Sequence, residues 1–129
     1  MSDPDEVTCV RPADRRVGDP TPGKVREQAI AIDGLWSGLV HTEPGMMSGW
    51  HHHGEHDTSV YVVEGTVRVE FGPGGAQAVD GGPGDFLHIP KHVVHREGNT
   101  GSTTAHEVVT RSGTGPLTIN VDGPAPLSG

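Results

Sequence analysis

Nine histidines are spread unevenly over this 129-residue chain. Four of them, His51, His52, His53 and His56, fall within six residues, inside the stretch from Gly45 to Gly65. One residue separates His51 from His53, so on an extended strand both imidazoles project from one face while His52 projects from the other. Two same-face imidazoles are half of a chelate for a transition-metal ion. A second group, His88, His92 and His95, lies about forty residues further on. The chemistry open to the chain turns on whether the two groups meet around one ion. Nucleophilic catalysis has little to stand on, since the lone Cys9 sits in a polar leading segment and no serine stands in an elbow motif.

Bringing the two groups together requires strands, and strands are what the patterning predicts. Leu35 to Thr42 is the clearest early one, preceded by a short candidate at Gln28 to Ile32 and a break at Asp33-Gly34. Gly49 to His53 follows the Glu43-Pro44-Gly45 turn. Ser59 to Val63 and Thr66 to Phe71 are β-rich runs joined at Glu64-Gly65, which reads as a tight hairpin. Ala76 to Val79, Phe86 to Ile89, His92 to His95, Thr103 to Thr110 and a weaker Pro116 to Val121 complete the series. The Gly72 to Gly75 stretch lacks the Lys-Ser/Thr ending and the following helix of a phosphate loop, so it reads as a hairpin turn. No long segment has a helical period, and short strands at spacings of about ten residues indicate an all-β sandwich or barrel.

Composition agrees. The 20 glycines and 11 prolines suit many tight turns, and apolar residues make up only 32%. The length suits one domain, divided here into an arm at 1–24, a core at 25–121 and a tail at 122–129. No internal duplication is visible. A net charge of −8 argues against a nucleic-acid partner, and the basic grouping of Arg15, Arg16, Lys24 and Arg26 reads as a solvated lead-in. A single cysteine rules out an intramolecular disulfide and a cysteine-based zinc site. The opening residues lack the regions of a signal peptide and no apolar run approaches a membrane span, so a soluble, cytoplasmic protein is expected.

Gly45, His51, His53 and Gly65 match the first motif of the cupin superfamily: Gly, five residues, His-x-His, three or four residues, Glu, six residues, Gly. Gly84, Pro90, His95 and Asn99 match the second: Gly, five to seven residues, Pro-x-Gly, two residues, His, three residues, Asn. The chain thus resembles a small single-domain cupin, with the flanking strands extending the likeness over about 35–112. That resemblance implies a jelly-roll β-barrel (a double-stranded β-helix) holding a divalent transition metal, with His51, His53 and His95 as the carried-over ligands. Two positions depart from the pattern. Thr58 stands where the family has its carboxylate ligand, and a hydroxyl is a poor substitute. His92 replaces the second-motif glycine at a turn. Glu55, His56 and Asp57 lie nearby, and a fourth ligand would come from one of them, His56 being favoured because four-imidazole sites also occur in the superfamily.

Three neutral imidazoles leave a divalent site with a formal charge of about +2, which favours an anionic, chelating ligand such as an enolate, phenolate or carboxylate. Iron would suit dioxygenase chemistry on an enol, diketone or phenol. Zinc, manganese or nickel would act as a Lewis acid for cyclisation or isomerisation, as on a polyketide-like substrate. The acid/base candidates are His56, Glu55 and Asp57, with Tyr61 and His106 behind them. His41, His88 and His106 fit structural or supporting roles, and His52 faces away from the ion. The alternative is a non-catalytic module that binds a small ligand; a storage role is disfavoured by the short single module. The resemblance further implies a homodimer joined through edge strands, and the N-terminal arm is read here as the exchanged element.

Overall fold

Along Leu35–Thr42 every second residue is buried, the period expected of a strand with one face on a core. The computed structural model describes residues 5–126, so the ends of the expected arm and tail, 1–4 and 127–129, lie outside the described residues. The described chain forms eleven strands and two short 3-10 turns. In chain order the strands are β1 (Arg16–Val17), β2 (Lys24–Ile32), β3 (Leu35–Thr42), β4 (His51–His52), β5 (Asp57–Glu64) and β6 (Val67–Phe71). They continue as β7 (Gln77–Gly81), β8 (Phe86–Ile89), β9 (His95–Gly98), β10 (Ala105–Ser112) and β11 (Ile119–Asn120).

Two antiparallel sheets result, one ordered β1-β2-β3-β10-β5-β8 and the other β11-β4-β9-β6-β7. This is the expected all-β jelly-roll. β2 starts four residues earlier than the expected Gln28, at Lys24, and within the stretch read as an arm Arg16–Val17 pairs with Glu27 and Gln28. Gly38 is needed in β3 because a Cβ there would lie 2.5 Å from Glu27 O and 2.9 Å from the Trp36 ring.

One expected hairpin does not form. β5 pairs with β10 and β8, whereas β6 pairs with β7 and β9, so Glu64-Gly65 is a corner at which the chain leaves one sheet for the other. Gly65 has φ +83°, and a Cβ there would sit 2.7 Å from Ala105 Cα, so the corner requires glycine twice over. The Gly72–Gly75 turn does join a hairpin, β6 to β7. The strand expected at His92 to His95 begins only at His95, because His92 takes a left-handed φ of 63° in the preceding turn.

Between the sheets lies an apolar core of Trp36, Val40, Val60, Val62, Val67, Val69, Ile89, Ala105 and Val109. The interior is not apolar throughout: Lys24, His51, His53, Thr58, His95, Glu97, Glu107 and Arg111 are also buried. Asn99, the last residue of the second motif, pins the β9–β10 connection. Its Nδ2 donates to Thr42 O (2.9 Å) and Thr103 O (2.7 Å), and its Oδ1 accepts from Gly101 N (2.9 Å). Among the described residues no helix is long and apolar enough to cross a membrane.

Candidate metal centre

β4 and β9 are neighbours in one sheet, and the register sets His51 directly opposite His95. His53, just past the end of β4, completes the group. Ring centroids are 4.4 Å apart for His51 and His95, and 5.0 Å for each of the pairs His51–His53 and His53–His95. One ring nitrogen from each of the three lies within 4.8 Å of the others.

The outer nitrogen of each ring is committed to the backbone. Nδ1 of His51 bonds Gly49 O (2.9 Å), that of His53 bonds Leu117 O (2.7 Å), and that of His95 bonds Val93 O (2.9 Å). A carbonyl can only accept, so each Nδ1 carries the proton and each Nε2 keeps its lone pair facing inward. Nε2 of His53 and of His95 is buried with no hydrogen-bond partner. Burial, helped by the positive charge of Arg111, pushes His53 down to about 3. Burial also lowers His51, against the pull of Glu97. Neutral imidazoles with fixed tautomers and converging lone pairs fit a divalent transition metal in donor type and spacing.

A group of buried charges adjoins this cluster. Lys24 Nζ donates to Glu97 Oε1 at 3.1 Å, joining β2 of one sheet to β9 of the other. That oxygen is also 4.0 Å from His51 Nε2. Burial pushes Glu97 up, but the charge of Lys24, with a smaller pull from Arg111, outweighs it and holds the carboxyl below its ordinary range. Burial, with the repulsion of Glu97, pushes Glu107 up to about 7. Arg111 is driven down by burial and lies 5.1 Å from the Trp36 ring centroid. These four side chains, with His51, His53 and Thr58, surround a cavity of about 20 Å³. A larger pocket of about 300 Å³ opens elsewhere, lined by Val69, Phe71, Leu87, Ile89 and Val93, with His95 in its wall.

Of the other histidines and acids singled out in the sequence, His88 lines the larger pocket, and the rest line neither it nor the small cavity. Glu55 is exposed and pairs with His92 Nε2 at 2.9 Å. Asp57 pairs with His88 Nε2 at 3.1 Å. His56 is buried, but its Nδ1 donates to His53 O at 3.1 Å, and its ring lines a separate pocket of about 210 Å³ with Trp36 and Leu117. None of these three acid/base candidates lines the cavity or the pocket at the histidine cluster. Thr58 does line the cavity, and its Oγ1 is buried without a partner. His52 accepts from Gly54 N at 3.0 Å, with the His92 ring 6.2 Å away. His41 and His106 face each other through their Nδ1 atoms at 2.7 Å, with Glu27 on the far side of His41. Tyr61 packs on Phe86.

Sequence reasoning missed Lys24, Glu97, Glu107 and Arg111. Lys24 is no part of a solvated lead-in, being 5% exposed. A signal for the others existed: Glu97 is two residues from His95, and Glu107 and Arg111 alternate with core residues along β10, so strand period alone puts all three inside.

A family model described as "Cupin domain" matches residues 38–111. No curated protein matches the chain. Solved structures share its fold at low identity. The polyketide cyclase RemF from Streptomyces resistomycificus is 21% identical with a TM-score of 0.72, covering 90% of this chain and 86% of its own. KdgF from Halomonas sp. is 21% identical with a TM-score of 0.69, over 84% and 96%. Oxalate decarboxylase from Bacillus subtilis is 20% identical with a TM-score of 0.68, over 79% of this chain and 28% of its own.

Proposed function

The chain belongs to the cupin family, and from that premise we propose that it is a metal-dependent enzyme acting on an anionic, metal-chelating small molecule with an apolar body. The observation that carries this reading is the convergence of three inward Nε2 lone pairs in one cluster, one of whose rings, His95, also lines an apolar pocket. A divalent ion held by His51, His53 and His95 supplies Lewis-acid polarisation, or, as iron, a redox centre for dioxygen chemistry. The pocket of about 300 Å³ takes the substrate body and keeps water from it. Lys24 and Arg111 face Glu97 and Glu107 in the interior, and Glu107 is driven toward its neutral form, so the charge inside leans positive before any metal binds. An anion is favoured there. An enol, diketone, phenol or polyketide-like substrate meets both demands, by dioxygenation or by cyclisation and isomerisation. The likeness in fold to a polyketide cyclase is in keeping with the second route.

Elemental analysis of protein purified without chelators or an added tag tests the reading, followed by turnover assays on such substrates. Iron with substrate-dependent oxygen uptake supports dioxygenation; zinc without it supports Lewis-acid chemistry. No retained metal, with His51→Ala leaving function unchanged, sinks the proposal.

A second reading, a non-catalytic small-ligand module, draws on the placement of Glu55, His56 and Asp57 away from the cluster. Binding of a substrate without its conversion by the metal-loaded protein would favour it. We also extend the proposal to a homodimer, since the β1–β2 edge carries the exposed side chains of Val17, Val25, Ile30 and Ile32.

A further inference from the structure

Three neutral imidazoles bring no negative charge to a divalent ion, and Thr58, at the family's carboxylate position, offers only a hydroxyl. One carboxylate nevertheless faces the cluster. Glu97 is two residues beyond His95 on β9, so both side chains project into the same interior. Its Oε1 is 4.0 Å from His51 Nε2. Ligand atoms bound to one ion at about 2.0–2.2 Å stand about 3–3.5 Å apart, so less than about 1 Å of side-chain movement brings Glu97 to ligand separation from His51. The group of ligand atoms within 4.8 Å of one another holds the three histidines without Glu97, so its carboxylate must also turn toward the other two rings. What holds it back is Lys24, whose ammonium is 3.1 Å from the same oxygen and is itself buried.

We propose that Glu97 supplies the carboxylate ligand of this centre, moved from β5, where Thr58 stands, to the strand that carries His95, with Lys24 as the cation that competes for it. This rests on the metal-binding reading above. The bland alternative is that the Lys24–Glu97 pair only ties one sheet to the other. The two differ in what they do to the ligand field of a bound ion, because a structural pair changes the surrounding charge and not the set of donor atoms.

Cobalt(II) is the probe. Metal-free wild type, Glu97→Gln and Lys24→Met are titrated with cobalt(II), recording affinity by competition and the visible absorption spectrum of the bound ion. Loss of a ligand should weaken Glu97→Gln by about 100-fold, at or beyond the upper end of what supporting residues cost, and should shift its absorption bands. Lys24→Met should bind more tightly with the wild-type spectrum. Glu97→Gln leaves Lys24 buried and unpaired, so the double variant Lys24→Met/Glu97→Gln provides the same spectral comparison without an unpaired charge. A wild-type spectrum in the Glu97→Gln or double variant overturns the assignment, even where affinity moves, because charge alone shifts a binding constant. Wild type that takes up no cobalt overturns the metal-binding reading as well.

Discussion

At Glu107 a single carboxyl carries a pH dependence for the whole fold. Burial raises it to about 7, so between its ordinary value and 7 the folded protein holds a proton that the unfolded chain has released. The resulting stability is complete at low pH and is lost as pH rises through about 7. Glu107→Gln keeps the uncharged form permanently. In the metal-free protein it should match wild type near pH 4 and exceed it at pH 8 by on the order of 3 kcal/mol. Urea denaturation across that range checks this, and parallel pH profiles for the two proteins would refute it. Of the buried charges, Glu97, Glu107 and Arg111 follow from strand period, whereas Lys24 was hard to read from sequence. His51 and His53 were legible as a same-face pair because ligand spacing on a strand is a local constraint, and His95 joined them through the likeness to the cupin motifs. The burial of Lys24 depends on Glu97, 73 residues away, and no local pattern separates a buried lysine from a solvated one.

At the scale of elements, most strands were visible in their alternation: β3 has the expected bounds, Leu35–Thr42, and so does β8, Phe86–Ile89. The corner between β5 and β6 was not. A glycine between two β-rich runs has the same composition whether the chain folds back or crosses to another sheet, and only pairing with β10 or β9 decides which. The corner makes its own prediction. Gly65→Val combines a left-handed backbone with a Cβ 2.7 Å from Ala105 Cα. It should cost about 2–5 kcal/mol of stability, from backbone strain and overpacking together. Chemical denaturation measures it, and a loss below about 1 kcal/mol would show that the corner relaxes freely.

For the whole molecule, the proposed homodimer places a second copy at the exposed β1–β2 edge. Light scattering of the full chain should give twice the monomer mass. The Val17→Asp/Ile32→Asp variant, which changes residues that are 70% and 66% exposed, should give the monomer mass with the fold intact. A monomeric wild type, or a variant still dimeric, removes this edge as the interface. The same scale accounts for how the interior reconciles an apolar core with eleven buried polar residues among those described: both sheets supply valines to the apolar core and both supply charged side chains beside the histidines.

The three Nδ1 bonds to backbone carbonyls have one more consequence. The rings are oriented by the folded chain itself, so the cage exists before any ion arrives, unlike a domain that folds only on its metal. A prebuilt imidazole cage ranks divalent ions mainly by the general order of their affinities, with copper ahead of zinc and zinc ahead of iron. The occupant is then set by supply. Protein produced in zinc-rich and in iron-rich media should share one fold and differ in its ion, so the oxygen-uptake and turnover assays are read on metal-free protein reloaded with each ion in turn.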